Sequence, residues 1–181
     1  EEFLNLYKKL TENGLSPIVV KGIVCRSLYR EPDYRFSGDE DVLIQRDTFG
    51  RCHEIFSENG MKRSQPERNM ESEGEISYYK DKGVLRVELH KELFASDSEA
   101  YGDFNDLFAD AFDRKIETVI NGVKIYTMCH TEHLLYLICH AFKHFLHSGF
   151  GIRQVCDIII YANRYGGEID WDELLTKCRS I

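Results

Sequence analysis

Asp39-Glu40-Asp41 runs without a break into Val42-Leu43-Ile44, and no other stretch constrains the fold as tightly. Apolar residues on consecutive positions mark a strand covered on both faces. Side chains two apart on a strand point the same way. Asp39 and Asp41 therefore stand side by side at the head of an interior strand, where their charges repel and one tends to hold a proton. A divalent cation removes that cost. An isolated pair of acids at this spacing is more often solvated than functional. Here its direct entry into a buried strand fixes its direction.

Around this junction the chain reads as α+β. Phe3, Leu6, Tyr7 and Leu10 recur at helical spacing until Asn13-Gly14 ends the run. Ile18-Val19-Val20 reads as a short strand, and Lys21-Gly22 leads into a helix from about Ile23 to Tyr29. Asp47 reads as the N-cap of a helix closed by Asn59-Gly60. Residues 61–72 are polar and unpatterned, as in a loop. Residues 75–80 and 84–91 form a hairpin pattern across Asp81-Lys82-Gly83. A helix is predicted around Phe104 to Phe112. A second hairpin turns at Asn121-Gly122, joining 115–120 to 123–127. From there everything is helical: 130–147, 152–165 and Trp171 onward. The expected architecture is a mixed-sheet core with flanking helices over 1–127, then a C-terminal helical lobe over 128–181. That lobe stops inside a helical pattern and is expected to continue in a longer protein.

Charge excludes several function classes. Lys and Arg total 23 against 31 Asp and Glu, a formal net charge of −8, so no broad nucleic-acid-binding surface is expected. A local basic pocket for a small anion remains compatible with that balance. No apolar run approaches the length of a membrane span. The 6 cysteines are irregularly spaced without a CxxC, which reads as reduced thiols and a cytoplasmic setting.

Three further groups carry chemical potential. In Val84 to His90, Leu85, Val87 and Leu89 make one face while Arg86, Glu88 and His90 make the other. Taken alone this is an amphipathic strand with a wet face. Beside the strand of Asp39 and Asp41 it would bring a third carboxylate to them, enough to hold metal ions with substrate phosphates completing the shell. Lys21-Gly22 occupies a strand-to-helix turn of the kind that suits phosphate. On a helical wheel His140, His144 and His147 fall within about 40° of His133. His140 and His144 have metal spacing but no HExxH glutamate, so histidines lining a cleft are favoured over a zinc site.

Lys21-Gly22, Arg35-Phe36-Ser37-Gly38-Asp39-Glu40-Asp41 and Glu88-Leu89-His90 together resemble the uncharacterised nucleotidyltransferase family of the DNA polymerase β-like superfamily. Lys143-His144 followed by Arg153 and Asp157 is similar to the Lys…Arg-x-x-x-Asp helical motif of related bacterial nucleotidyltransferases, including toxin-type ones. The resemblance spans roughly residues 17–165, and the Arg-x-Ser-x-Asp-x-Asp block is its most specific part. It implies an acidic pair on a central strand, with Asp39, Asp41 and Glu88 as catalytic metal ligands for two Mg²⁺ or Mn²⁺ ions. It implies phosphate contacts from Lys21, Gly22, Arg35, Ser37 and Lys143, in a cleft lined by His90, His140, His144, Arg153 and Asp157.

The implied activity moves a nucleoside monophosphate from a nucleoside triphosphate to an acceptor hydroxyl on a small molecule, a protein or a tRNA end. One departure stands out. The superfamily has a small residue after the glycine of the phosphate turn, and this chain has Ile23. That opens a second reading, a weakly catalytic or regulatory nucleotide-binding module. A third is a metal-binding helical protein built on the histidines.

Overall fold

The computed structural model describes residues 1–36, 38–149 and 151–180. Its centre is β2 (Glu40–Leu43), every residue of which is buried. Antiparallel β1 (Ile18–Val19) flanks it on one side and parallel β5 (Arg86–His90) on the other. Beyond β5 lie β4 (Glu75–Lys80) and β3 (Met61–Arg63); beyond β1 lie β7 (Val123–Thr127) and β6 (Ile116–Ile120). The result is a seven-stranded mixed sheet in the order β3-β4-β5-β2-β1-β7-β6. The helices are α1 (Glu2–Glu12), α2 (Ile23–Arg26), α3 (Phe49–Glu58), α4 (Ala111–Arg114), α5 (His130–Ser148), α6 (Ile152–Tyr165) and α7 (Trp171–Arg179). This is the α+β architecture expected from the pattern, with the helical segments at its C-terminal end.

Register explains why both faces of β2 are apolar. Val42 pairs with Val19 and Leu89, and this face buries Phe3, Tyr7 and Leu10 of α1 with Ile55 and Phe56 of α3. Leu43 pairs with Ile18 and faces the other way, into Phe94, Phe104, Phe108 and α5's Leu135, Tyr136 and Cys139. Helices cover both sides, so consecutive apolar residues are required. Asn121 and Gly122 both have positive φ, 49° and 75°, the backbone a two-residue hairpin turn demands.

Four local expectations are corrected. Asp47 does not cap α3: it lies in a 3₁₀ turn (Arg46–Thr48), and Thr48 precedes the helix without a side-chain cap bond. The stretch read as loop begins with β3, because Met61 is buried and Met61–Arg63 completes the sheet edge on β4. The helix near Phe104 is a 3₁₀ segment (Gly102–Phe108), and only Ala111–Arg114 is α-helical. α2 ends at Arg26 rather than Tyr29.

α6 is fastened to the segment ahead of β2 by a buried ion pair. Asp157 of α6 accepts from Arg35 Nε and Nη2 at 2.8 Å each, and from the Tyr29 hydroxyl at 2.8 Å. One turn earlier on the same helix face, Arg153 Nη1 donates to the Phe36 carbonyl at 2.8 Å. α6 thus grips the segment that leads into Asp39. Asp157→Ala would leave the Arg35 guanidinium buried and unpaired, and the expected cost is about 3–5 kcal/mol. Urea denaturation should show a lower midpoint with an unchanged slope. A loss under about 1 kcal/mol would put the pair in the class of solvated surface bridges.

Candidate active site

The β2–β5 register sets Asp41 against Glu88 and Leu43 against His90, so Asp41, Glu88 and His90 share one face. His90 Nε2 lies 3.2 Å from Asp41 Oδ1 and 3.8 Å from Glu88 Oε2. One donor atom from each of the three falls within 4.8 Å of the others, the metal-capable group found among the described residues. Glu75 of β4 pairs with His90 and brings its Oε2 to 3.6 Å from His90 Nδ1. Asp39 is half-buried just before the strand, and its charge acts on both Lys21 and Glu88.

Crowded acids in a dry setting shift one another. Burial first, then the charges of Glu75 and Asp41, push the Glu88 carboxyl up to about 7. Asp41 goes the other way. Burial opposes its charge, but the Lys21 ammonium and the hydrogen bond from His90 outweigh that and hold the carboxyl well below the usual range. Asp41 Oδ2 is buried and has no hydrogen-bond partner. A carboxylate with one orphaned oxygen, grouped with a second carboxylate and an imidazole, is a donor set that fits Mg²⁺ or Mn²⁺. The residues present therefore suit a divalent ion.

Opposite Glu88, on the β1 side, stands Lys21. Its Nζ is 3.0 Å from Asp41 Oδ1 and 3.0 Å from His140 Nε2. Burial works against its charge, but Asp41 and Asp39 more than restore it. His140 is pushed well below its ordinary value by burial and then by Lys21, which makes it an acceptor for that ammonium.

The turn after Lys21 is closed from within. Glu40, the middle acid of the motif, points to the face opposite Asp41. Its Oε2 accepts the Ile23 N–H at 2.6 Å, and its Oε1 pairs with Arg26 at 2.8 Å. Gly22 adopts φ +50°, and a Cβ there would lie 2.0 Å from Glu40 Oε2. The glycine is thus required by backbone shape and by the Glu40 side chain. The Ile23 amide, at the place the resemblance gives to phosphate, is committed to a carboxylate.

α5 supplies a basic flank. His140 and His144 meet edge to face at 4.5 Å, and Lys143 and Lys21 both depress His144 after burial does. Lys143 is half-buried and Arg153 reaches the same neighbourhood from α6. The other wheel members separate. His133 bonds Thr127 and stacks on Tyr161, while His147 bonds the Tyr101 hydroxyl. The four histidines do not converge. Arg35, named as a phosphate contact, is occupied instead by Asp157 and by the Gly22 carbonyl at 3.1 Å. Ser37 lies outside the described residues.

Two residues near the site were missed in the sequence. Glu75 was legible only through the hairpin register that sets it against His90. Glu40 looked like a spacer between two aspartates, and only its burial at 5% exposure reveals a partner 17 residues away.

The chain belongs to the uncharacterised nucleotidyltransferase family, whose model matches residues 1–181, and this places it among the transferase enzymes. Its backbone is similar to ANT(2″)-Ia in complex with adenylyl-2″-tobramycin, with a TM-score of 0.66 at 13% identity over 97% of this chain and 94% of that one. It is also similar to a solution structure of the antibiotic-resistance factor ANT(2″)-Ia, with a TM-score of 0.65 at 12% identity, covering 99% and 90%. An antigenic nucleotidyltransferase-like protein from Paracoccidioides brasiliensis gives 0.58 at 14% identity, covering 98% and 84%. These likenesses establish the nucleotidyltransferase fold. No curated protein matches the chain in sequence. Among the described residues, no helix is long and apolar enough to cross a membrane.

The turn lends itself to a double-mutant cycle. Gly22→Ala should cost about 1–3 kcal/mol through positive φ and the clash with Glu40. In a Glu40→Ala background the cost should shrink, with a coupling of at least about 0.5 kcal/mol in chemical denaturation. Additive losses would mean that the glycine serves backbone shape alone.

Proposed function

We propose that this chain transfers a nucleoside monophosphate from a nucleoside triphosphate to an acceptor hydroxyl, between the acidic sheet face and the basic flank of α5 and α6. The observation that carries this is the convergence of Asp41 and Glu88 on one face, with Asp41 Oδ2 buried and unpartnered beside them. Residues 1–127 would form the nucleotidyltransferase core and 128–181 the lobe that closes the cleft.

In this reading the acceptor oxygen attacks the α-phosphorus in line, the α–β bridging P–O bond breaks, pyrophosphate leaves, and the hydroxyl proton is released to solvent. Asp39, Asp41 and Glu88 would hold Mg²⁺ or Mn²⁺, with His90 alongside. The family resemblance implies two such ions, one at the acceptor and one at the triphosphate, supplying hydroxyl activation and charge neutralisation. The chain's own contribution is orientation and fixed charge: Lys21, Lys143 and Arg153 would face the triphosphate oxygens. Arg35 is left out of that set because Asp157 neutralises it and the Gly22 carbonyl takes a third N–H, so that it anchors the turn instead. Acceptors to test are small metabolites, proteins and tRNA ends.

A nucleotide-binding module without transfer is the second reading, and the occupied Ile23 amide favours it. The histidine-based metal reading is set aside, because the α5 histidines bond to separate partners.

Incubation with labelled triphosphates, Mg²⁺ and a metabolite or lysate pool, followed by mass spectrometry, decides between the two. Transfer yields pyrophosphate and an acceptor carrying a nucleoside monophosphate. Asp41→Asn should reduce that product by about a hundredfold or more, the scale of losing one fixed transition-state contact. Binding without either product supports the regulatory module. Lys143→Ala should leave the melting temperature nearly unchanged, as surface substitutions do. It should weaken triphosphate binding about tenfold or more, equivalent to ~1.4 kcal/mol. Unchanged binding would return Lys143 to a merely solvated role.

A further inference from the structure

Asp41 has different neighbours on its two sides. Toward β5 it meets Glu88 and His90, and the donor atoms of all three lie within 4.8 Å of one another. Toward β1 it meets an ammonium: Lys21 Nζ at 3.0 Å from Oδ1. Among the described residues, Lys21 is the only lysine or arginine paired with Asp41. It is not a surface lysine free to swing aside. It is 9% exposed, its stem is packed at the turn, and a second bond to His140 Nε2 at 3.0 Å fixes the head group. An ammonium has three N–H donors, and among the described residues Asp41 and His140 are its partners, which leaves one.

We propose that the Lys21 ammonium takes the place of the triphosphate-side cation, so that the protein itself grips the triphosphate, and a single divalent ion, held on the β5 side by Asp41, Glu88 and His90, is left to the acceptor side. The inference rests on the nucleotidyl-transfer reading. In two-metal sites the ions sit about 3.5–4 Å apart and share carboxylates. Here one oxygen of the shared carboxylate, Asp41 Oδ1, already bears a fixed positive charge, and only Oδ2 is unpartnered. A second dication on the β1 side would lie against that ammonium with little water between to screen it. The remaining Lys21 N–H serves a phosphate oxygen as a charge-assisted donor. The two arginines that flank the turn are otherwise engaged. Arg26 holds Glu40, and Arg35 holds Asp157. Both keep the turn that carries Lys21 in place, so the lysine is presented by a rigid support.

The test is equilibrium binding of non-hydrolysable α,β-methylene nucleoside triphosphates, each base in turn, in EDTA and in Mn²⁺. For the wild-type chain the two affinities should agree within about threefold, because the lysine is always present. For Lys21→Met, affinity in EDTA should fall about thirtyfold or more, roughly 2 kcal/mol. Mn²⁺ should recover most of that loss, since the freed Asp41 oxygen can then take an ion. Lys21→Gln, which can still donate to Asp41, serves if the methionine variant does not fold. A wild-type chain that loses about thirtyfold in EDTA overturns the inference and leaves nucleotidyl transfer standing with two ions. So does a Lys21 variant that binds in EDTA as tightly as wild type. No binding by wild type in either medium overturns the inference and the nucleotidyl-transfer reading together.

Discussion

A carboxylate on the central strand with 1% exposure cannot be left to water, and the structure around Asp41 follows from that constraint. Its charge is met from both neighbouring strands at once. Lys21 arrives from the end of β1, and His90 arrives from β5, each in contact with the same oxygen. That requirement fixes the register of three strands, because a one-residue slip would turn His90 and Glu88 to the opposite face. It also fixes the turn after β1, which has to aim a lysine back across β2. Glu40 then completes the arrangement from the other face by taking the Ile23 amide and Arg26. Alternate residues of one short motif thus serve two purposes, with Asp41 turned toward the cleft and Glu40 toward the scaffold.

The same logic accounts for the attachment of the C-terminal helices. Arg35 lies 3% exposed, and its fork is met by Asp157 with bidentate geometry, the form in which a buried pair recovers most of its desolvation cost. Its third contact, to the Gly22 carbonyl, links α6 to the turn that carries Lys21. An Arg-x-x-x-Asp spacing on a helix puts both side chains on one face. Here that face holds Phe36 with Arg153 and Arg35 with Asp157, on either side of one peptide.

What could be read in the sequence depended on whether the signal was local. The buried strand of Asp41, the Asn121-Gly122 hairpin and the three C-terminal helices are periodicity or turn chemistry, and the structure has them all. The pairing of β2 with β5 was not local. Period two showed that Glu88 and His90 share a face, but only a parallel ladder joining segments 47 residues apart sets Glu88 beside Asp41. Arg35 and Glu40 were opaque for a related reason. A charged residue in a motif does not reveal a distant counter-ion, and here those counter-ions are Asp157 and Arg26. Asp47 shows the opposite error. A good capping residue was present, but a 3₁₀ turn moved the helix start past it.

These pairings explain how a chain with a net charge of −8 sets acids and bases close together around Asp41. The sheet and the residue just before β2 contribute Asp39, Asp41, Glu75 and Glu88, while α5 and α6 contribute His140, Lys143, His144 and Arg153. Burial acts on the two sides in opposite directions. It raises Glu88 and depresses His140 and His144, which draws those three groups toward neutrality. Lys21 and Asp41 are the exception. They stay ionised because each compensates the other, and so they carry fixed charge into a buried setting. In the proposed reading a phosphate anion would meet the lysine and a metal ion would meet the acid. The lysine and the acid that would divide those two tasks are joined at 3.0 Å.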